Sequence, residues 1–401
     1  MIRLLAGRPG GAERLFCDIA NLLAEAGYEV TVAYCDPRDA EVPYPLSPKV
    51  ARVNLQARAS RQAPWYRLLD GGAKRYERAT GRARRAALAP VDWLSKNLYF
   101  LRRLYIVARD SRPDLILSFL PPANTPSLLG GWLAGVPVVP TNHSVPIHDF
   151  ESDVRWDQNP IDRALRRWSL RTAERIHVLF PSYADWFPPA LRDRVVAIPN
   201  GLSPEFEVPV PPRPRRRQVI AAGRLTDIKN YDLLLEAWAL IADRHPSWRL
   251  AIYGQGPRDR HLKTLARSLK LGDRVAFPGR TAAIRDAFLE SEIMVHPAEF
   301  EGFGLSVVEA LACGTPVLGF AACEGVNQLV IDGQNGLLVD RAGGARALAE
   351  GLERMISDDD LRARLRANAL GSIAPYRHEA FRDRWLTFVA DRIGGDVEER
   401  R

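Results

Sequence analysis

The stretch EFEGFGLSVVEALACGTPVL, residues 299–318, sets Glu301 and Glu309 eight positions apart around a Gly302-Phe303-Gly304 turn. Two carboxylates beside a turn are compatible with four chemistries: glycosidase acid–base work, a metal site, a helix cap, or a grip on a polyhydroxylated ligand. A retaining glycosidase needs its carboxyls ~5 Å apart, with one able to stay protonated. Nothing in this spacing enforces that distance, and nearby cations favour both acids ionised. A metal site lacks support, because no Asp-x-Asp or His cluster accompanies the pair. A carboxylate does accept hydrogen bonds from adjacent hydroxyls, as a sugar or ribose would offer.

Other polar groups fall at comparable places. AAGRLTDIKNYDLLLEAW runs from an apolar strand through a glycine turn to Arg224 and Lys229, then into an apolar helix. Two cations at the C-terminal end of a strand suit a diphosphate, although a pair of solvated side chains gives the same pattern. The turn YGQGP, Tyr253–Pro257, is weak evidence alone. RPGGAERL puts Gly10 and Gly11 at a helix start, where backbone NH groups can meet an anion or form a plain turn. The helix expected from near Leu305 is a second positive N-terminus, with Glu301 just before it and Glu309 about one turn inside. Taken together, hydroxyl-binding acids and anion-binding cations describe a nucleotide-sugar.

These groups need a scaffold of alternating strands and helices. Short β-branched runs at residues 29–33, 137–139, 195–198, 219–222, 250–253 and 316–319 alternate with amphipathic stretches at 12–26, 231–244 and 258–270. That alternation predicts parallel sheets wrapped by helices. Residues 94, 98, 101, 105 and 108 form an apolar helical stripe expected to face a core. PEFEVPVPPRPRRR, residues 204–217, reads as a linker between a domain over 1–203 and another over 218–375. A last helix within 376–401 is expected to pack back on the first domain.

Composition narrows the classes. A chain of 401 residues with 46% hydrophobic content has room for two cored domains. The apolar stretch 115–140 is interrupted by Pro121, Pro122, Asn124 and Pro126, which argues against a spanning helix. The start, MIRLLAGRPGG, is too short for a signal peptide. Four cysteines without metal or CxxC spacing fit a reducing cytoplasm. Of the net charge of +8, residues 58–112 carry fourteen Lys/Arg against four Asp/Glu, interleaved with seven aromatics. This segment reads either as solvated surface or as a contact with an anionic membrane, resting on residues 58–92. No nucleic-acid recognition motif accompanies the charge, so no nucleic-acid partner is expected.

GGAERL, PTNHS, IPNG, GRLTDIKN, YGQGP, HPAEFEGFGLSVVEALACGTPV and DGQNGLLV occur in the order found in retaining glycosyltransferases of family 4, which the chain resembles over nearly its whole length. The resemblance implies the α/β GT-B fold, two Rossmann-like domains with parallel sheets facing across a cleft. It implies Arg224 and Lys229 at the donor diphosphate, Glu309 at the ribose, and Glu301 at the transferred sugar. The backbone of Gly302, Phe303, Gly304 and Leu305 would lie beside sugar and phosphates. Gly10 and Gly11 match the first-domain glycine loop, and His143, in PTNHS, the histidine facing the donor sugar. The implied reaction moves a hexose or N-acetylhexosamine from a nucleotide-sugar, with a UDP-sugar favoured, to a glycan or lipid-linked saccharide. No metal or other cofactor is expected. A nucleotide-sugar epimerase of related fold, or a non-catalytic sugar-nucleotide or polyanion binder, is the alternative. Two departures stand out: Gln328 replaces the family's usual Glu and is left outside the site, and the first strand and glycine loop are short. That shortness is expected to mean a tight loop or a late translation start.

Overall fold

A computed structural model describes residues 1–5, 10–36, 41–56, 82–152, 159–209 and 213–394, without the side chains of residues 82–86. The chain divides into two compact units, Met1–Pro199 with Arg382–Arg401, and Asn200–Phe381. The division falls ahead of the Pro/Arg-rich stretch, whose Pro204–Phe206 turn buries Phe206 within the second unit.

In the first unit, β1 (Thr31–Tyr34) pairs with β2 (Ala51–Asn54), and β3 (Ile116–Phe119), β4 (Val138–Thr141), β5 (Ile176–Val178) and β6 (Val195–Ala197) follow in order. Every pairing is parallel. Ile2 bridges both Tyr34 and Phe119, so it joins the two pieces into one sheet. The helix Gly11–Glu25 starts directly at the glycine pair. In the helix Pro121–Ala134 the first two prolines occupy the first turn, where an amide hydrogen would have no intrahelical partner.

The long helix Arg82–Ser111 corrects one expectation. Its buried stripe is Ala89, Trp93, Phe100, Leu104 and Ala108, with Asn97 in line, while Leu94 is 37% exposed. The apolar count at 94, 98, 101 and 105 was displaced because Asn97 reads as polar. Its amide donates to the Trp93 carbonyl at 3.0 Å and accepts from Arg3 at 2.7 Å, which makes its burial tolerable. Among the described residues, no helix is long and apolar enough to cross a membrane.

The second unit holds one parallel six-stranded sheet built from β7 (Arg216–Ala222), β8 (Arg249–Tyr253), β9 (Val275–Gly279), β10 (Ser291–His296), β11 (Val317–Phe320) and β12 (Gly336–Val339). Their spatial order is β9-β8-β7-β10-β11-β12. This is the 3-2-1-4-5-6 order of a doubly wound sheet, so direction of winding reverses between β7 and β10. Val219, Ile220, Ile293, Met294 and Val295 have no exposed surface, as expected for central strands covered on both faces. The helix Tyr231–Ile241 buries Tyr231, Leu234, Leu235, Trp238 and Ile241, one face of a 3.6-residue repeat. Arg215, from the basic stretch, donates to Thr315 Oγ1 at 2.9 Å and to the Cys313 carbonyl at 2.6 Å, so that arginine is structural. All four cysteines are free and buried, and burial pushes Cys17, Cys313 and Cys323 up to about 12.

The turn after β8 packs onto the turn after β7 at backbone distance. A Cβ on Gly254 would lie 1.8 Å from the Gly223 carbonyl oxygen, and one on Gly256 2.3 Å from that of Leu225. Gly254 also has φ +141°, which disfavours a side chain. Gly254→Ala is therefore expected to cost about 2–4 kcal/mol, read as a lower urea midpoint. Gln255→Ala, between the two glycines, serves as the mild control.

Candidate functional site

In a doubly wound sheet, ligands bind beyond the carboxyl ends of the strands where winding reverses. Here that position is the pair of loops leaving β7 and β10, and both carry charged side chains. After β7, Gly223 leads through Arg224 and the 3₁₀ turn Asp227–Lys229 to Asn230, whose left-handed backbone (φ 54°) starts the next helix. After β10, the loop is tied to the first by the Glu299 amide, which donates to the Ile228 carbonyl at 3.0 Å. That tie brings Lys229 to Glu301, seventy-two residues later, and their ammonium and carboxylate form an ion pair.

The Glu301 carboxylate has further partners. His296 Nε2 lies 3.2 Å from Oε2, the same oxygen that Lys229 holds, and the Gly302 amide lies 3.2 Å from Oε1. Burial alone would raise the acid, but the Lys229 charge and the His296 hydrogen bond outweigh it and hold Glu301 well below the usual carboxylate range. His296 is pushed down from its ordinary value, first by burial and then by Lys229. The phenol of Tyr231 lies beneath, raised by burial and by the Glu301 charge. An acid so held stays ionised at neutral pH and cannot serve there as a proton donor.

The rest of the loop is fixed from below. Phe303 is 3% exposed and meets Tyr376 edge-on at 5.6 Å, so only its backbone is available to a ligand. Gly304 caps the helix Leu305–Ala312 in a left-handed conformation. Glu309 lies half-buried one turn inside that helix. Gly325 allows a close approach: a Cβ there would fall 2.4 Å from the Glu301 carbonyl oxygen. Arg224 is exposed and has no ion-pair partner among the described residues. The expected residues of the second unit thus share two loops and one helix start. His296, Tyr231 and Gly325 were missed; only the HP before AEFEG hinted at the histidine.

Gly10, Gly11 and His143 belong to the first unit. Gly10 precedes the helix Gly11–Glu25 in extended conformation, and the Glu13 carboxylate folds over it, 2.3 Å from where a Cβ would stand. A negative charge therefore already lies at that helix start. Residues 6–9, the body of the glycine loop, are outside the described residues. His143 follows β4 and stacks on Phe119 at 5.0 Å. Its Nε2 lies 3.0 Å from Thr141 Oγ1, whose own proton goes to the Ser118 carbonyl, so Nε2 carries the imidazole hydrogen. Beneath it lies His177, 5.3 Å away, fully buried and bonded to the Ile198 carbonyl at 2.8 Å. Among the described residues, no group of three or more His, Cys, Asp or Glu is gathered as metal ligands.

Two parallel α/β units, the second wound 3-2-1-4-5-6, are the architecture of the GT-B fold, shared with solved GT-B structures. The model "Glycosyltransferase Family 4" matches residues 9–206 and "Glycosyl transferases group 1" residues 204–371, and the chain belongs to this family of glycosyltransferases. The lipopolysaccharide core biosynthesis glycosyltransferase LpsE of Rhizobium meliloti is 26% identical over 96% of this chain and 97% of its own. An uncharacterized glycosyltransferase of Haemophilus influenzae is 32% identical over 41% of this chain. The chain spans half or less of the length of several curated relatives, 46% of the Haemophilus protein and 41% of a Streptococcus parasanguinis N-acetylglucosaminyltransferase subunit. Among solved structures, sucrose-phosphate synthase from Thermosynechococcus elongatus superposes with TM-score 0.72 at 22% identity, covering 96% of this chain and 94% of that one. Anabaena HepE, in complex with UDP and glucose, gives 0.71 at 20% identity, covering 97% and 98%.

Burial pushes His177 down from an ordinary 6.5 to about 4. Between those values the unfolded chain binds a proton that the folded chain refuses, so stability rises with pH there. The contribution is complete above about pH 6.5 and is lost as pH falls toward 4, about 3 kcal/mol in all. His177→Phe is expected to flatten the dependence of the urea midpoint on pH between 7 and 4.5.

Proposed function

We propose that this chain is a retaining, metal-independent glycosyltransferase that moves a hexose or N-acetylhexosamine from a UDP-sugar to a lipid-linked glycan of a bacterial cell surface. The observation that carries the reading is the Lys229–Glu301–His296 cluster where β7 and β10 end, beside Arg224 and the helix start at Gly304. Departure of a nucleoside diphosphate concentrates negative charge, which fixed cations and a helix N-terminus stabilise without reorganising. Arg224, unpaired, takes the larger share of the diphosphate. Lys229 has two further N–H groups to offer it while still holding Glu301. Glu301, kept ionised, accepts from a hydroxyl of the transferred sugar and stabilises positive charge developing at its ring. Glu309 accepts from the ribose, and His143 is assigned to the transferred sugar. No side chain acts as nucleophile; a phosphate oxygen of the donor assists deprotonation of the acceptor on the same face.

The complexes of HepE with UDP and with UDP-glucose, and of a pneumococcal O-GlcNAc transferase with UDP and GlcNAc, support a uridine donor by analogy. The LpsE relative supports a lipopolysaccharide-type acceptor in the same way. An anionic membrane surface would meet the basic segment 58–92. Residues 57–81 and the side chains of 82–86 lie outside the described residues, so that contact rests on composition.

The reading is tested by incubating the protein with UDP- and GDP-sugars and a lipid-linked acceptor. Glu301→Ala and Lys229→Ala are each expected to lower turnover about 100-fold or more. Undiminished acceptor-dependent turnover would sink the assignment, and a changed nucleotide-sugar released without acceptor would favour an epimerase. For the membrane, neutralising Arg82, Arg84 and Arg85 together should reduce sedimentation with phosphatidylglycerol vesicles; equal sedimentation removes that partner.

A further inference from the structure

His296 closes β10 with 2% of its surface exposed, and the transferase reading gives it no task of its own. Its geometry does. Oε2 of Glu301 receives both the Lys229 ammonium and His296 Nε2, which fills the two lone-pair directions of that oxygen. Among the described residues Oε1 accepts only the Gly302 amide and keeps one direction open, on a side chain that is 22% exposed. We propose that His296 is a positioning residue: it donates Nε2–H to Oε2 and so presents Oε1 of Glu301 as the single acceptor for a donor-sugar hydroxyl. This inference rests on the transferase reading of Glu301.

A neutral imidazole suits the place better than another cation would. Lys229 already supplies the positive charge, and a second one beside it would be repelled and would neutralise the carboxylate's attraction for an electron-poor sugar ring. The charged groups acting on the ring are Lys229 from the loop after β7 and Glu301 from its own loop; the Tyr231 phenol and the Cys323 thiol after β11 feel the Glu301 charge. Glu301, held ionised, accepts the hydrogen bond from His296, which the Lys229 ammonium has no lone pair to do. The histidine thus gives direction without charge.

The test uses the full chain, a UDP-sugar and acceptor. His296→Leu should lower kcat about 10- to 100-fold, with a smaller change in the KM for acceptor. It should also move the acid limb of the kcat profile upward, because Glu301 loses a donor to its ionised form. His296→Gln, which keeps an N–H donor, should restore most of both. A structural role alone would lower Tm and leave the acid limb in place, and that result overturns the proposal. Nitrogen NMR of the unaltered protein gives an answer that needs no variant. The Nε2–H tautomer is expected to persist from pH 8 to 5, and the Nδ1–H tautomer, or titration near 6.5, overturns it. Glu301→Gln separates the two readings. If it leaves turnover intact the transferase role of Glu301 fails; if it abolishes turnover while His296→Leu is silent, only the present inference fails.

Discussion

A half-buried carboxylate costs several kcal/mol unless charge and hydrogen bonds compensate it, and Glu301 is compensated from three directions. Lys229 arrives from the loop after β7, His296 from the end of β10, and the Gly302 amide from the next peptide. Removal of any one leaves the others mismatched, so the neighbourhood is built to hold them in register. The parallel pairing of β7 with β10 sets the height of the two loops, and the Glu299–Ile228 bond locks them laterally. Gly325 lets the chain after β11 touch the Glu301 peptide, and Gly254 and Gly256 let the turn after β8 support the one after β7. These glycines serve close approach, and a methyl group at any of them would push a loop away from the site.

The electrostatics bear on what the site can do. Two acids near a sugar could indicate a hydrolase, but a hydrolase needs one of them protonated. The Lys229 and His296 contacts drive Glu301 the opposite way. The two cations are also unequal, since Arg224 is exposed whereas Lys229 is shared with the acid. On the proposed reading this divides their labour, with Arg224 chiefly at the leaving phosphates and Lys229 joining phosphate to sugar.

The first unit repeats the same winding with Ile2 standing for the central strand. Its histidine at the end of β4 is aimed by a relay, from the Ser118 carbonyl through Thr141 to His143, and its ring is supported by Phe119 and His177. Glu13 over Gly10 places an acid where the glycine loop opens, so any anion approaching that helix start meets a charge that must move or be countered.

The sequence by itself determined a good deal. Alternating strands and helices with glycine turns gave the parallel α/β architecture, because periodicity is a local property of the chain. GRLTDIKN and EFEGFG marked the two loops only in combination, since a glycine turn with solvated charges gives either pattern alone. Local pattern failed where burial depended on a distant partner. Asn97 lies inside the buried stripe because of a contact, Arg3, that is ninety-four residues away. His296 drew no assignment of its own. Only the tertiary structure decided that Lys229 and Glu301 form a hydrogen-bonded ion pair, that His296 completes it, and that Arg224 stands apart. Those facts depend on which strands lie side by side, and the crossover that puts β10 against β7 is a choice made by packing, not by any short stretch of residues.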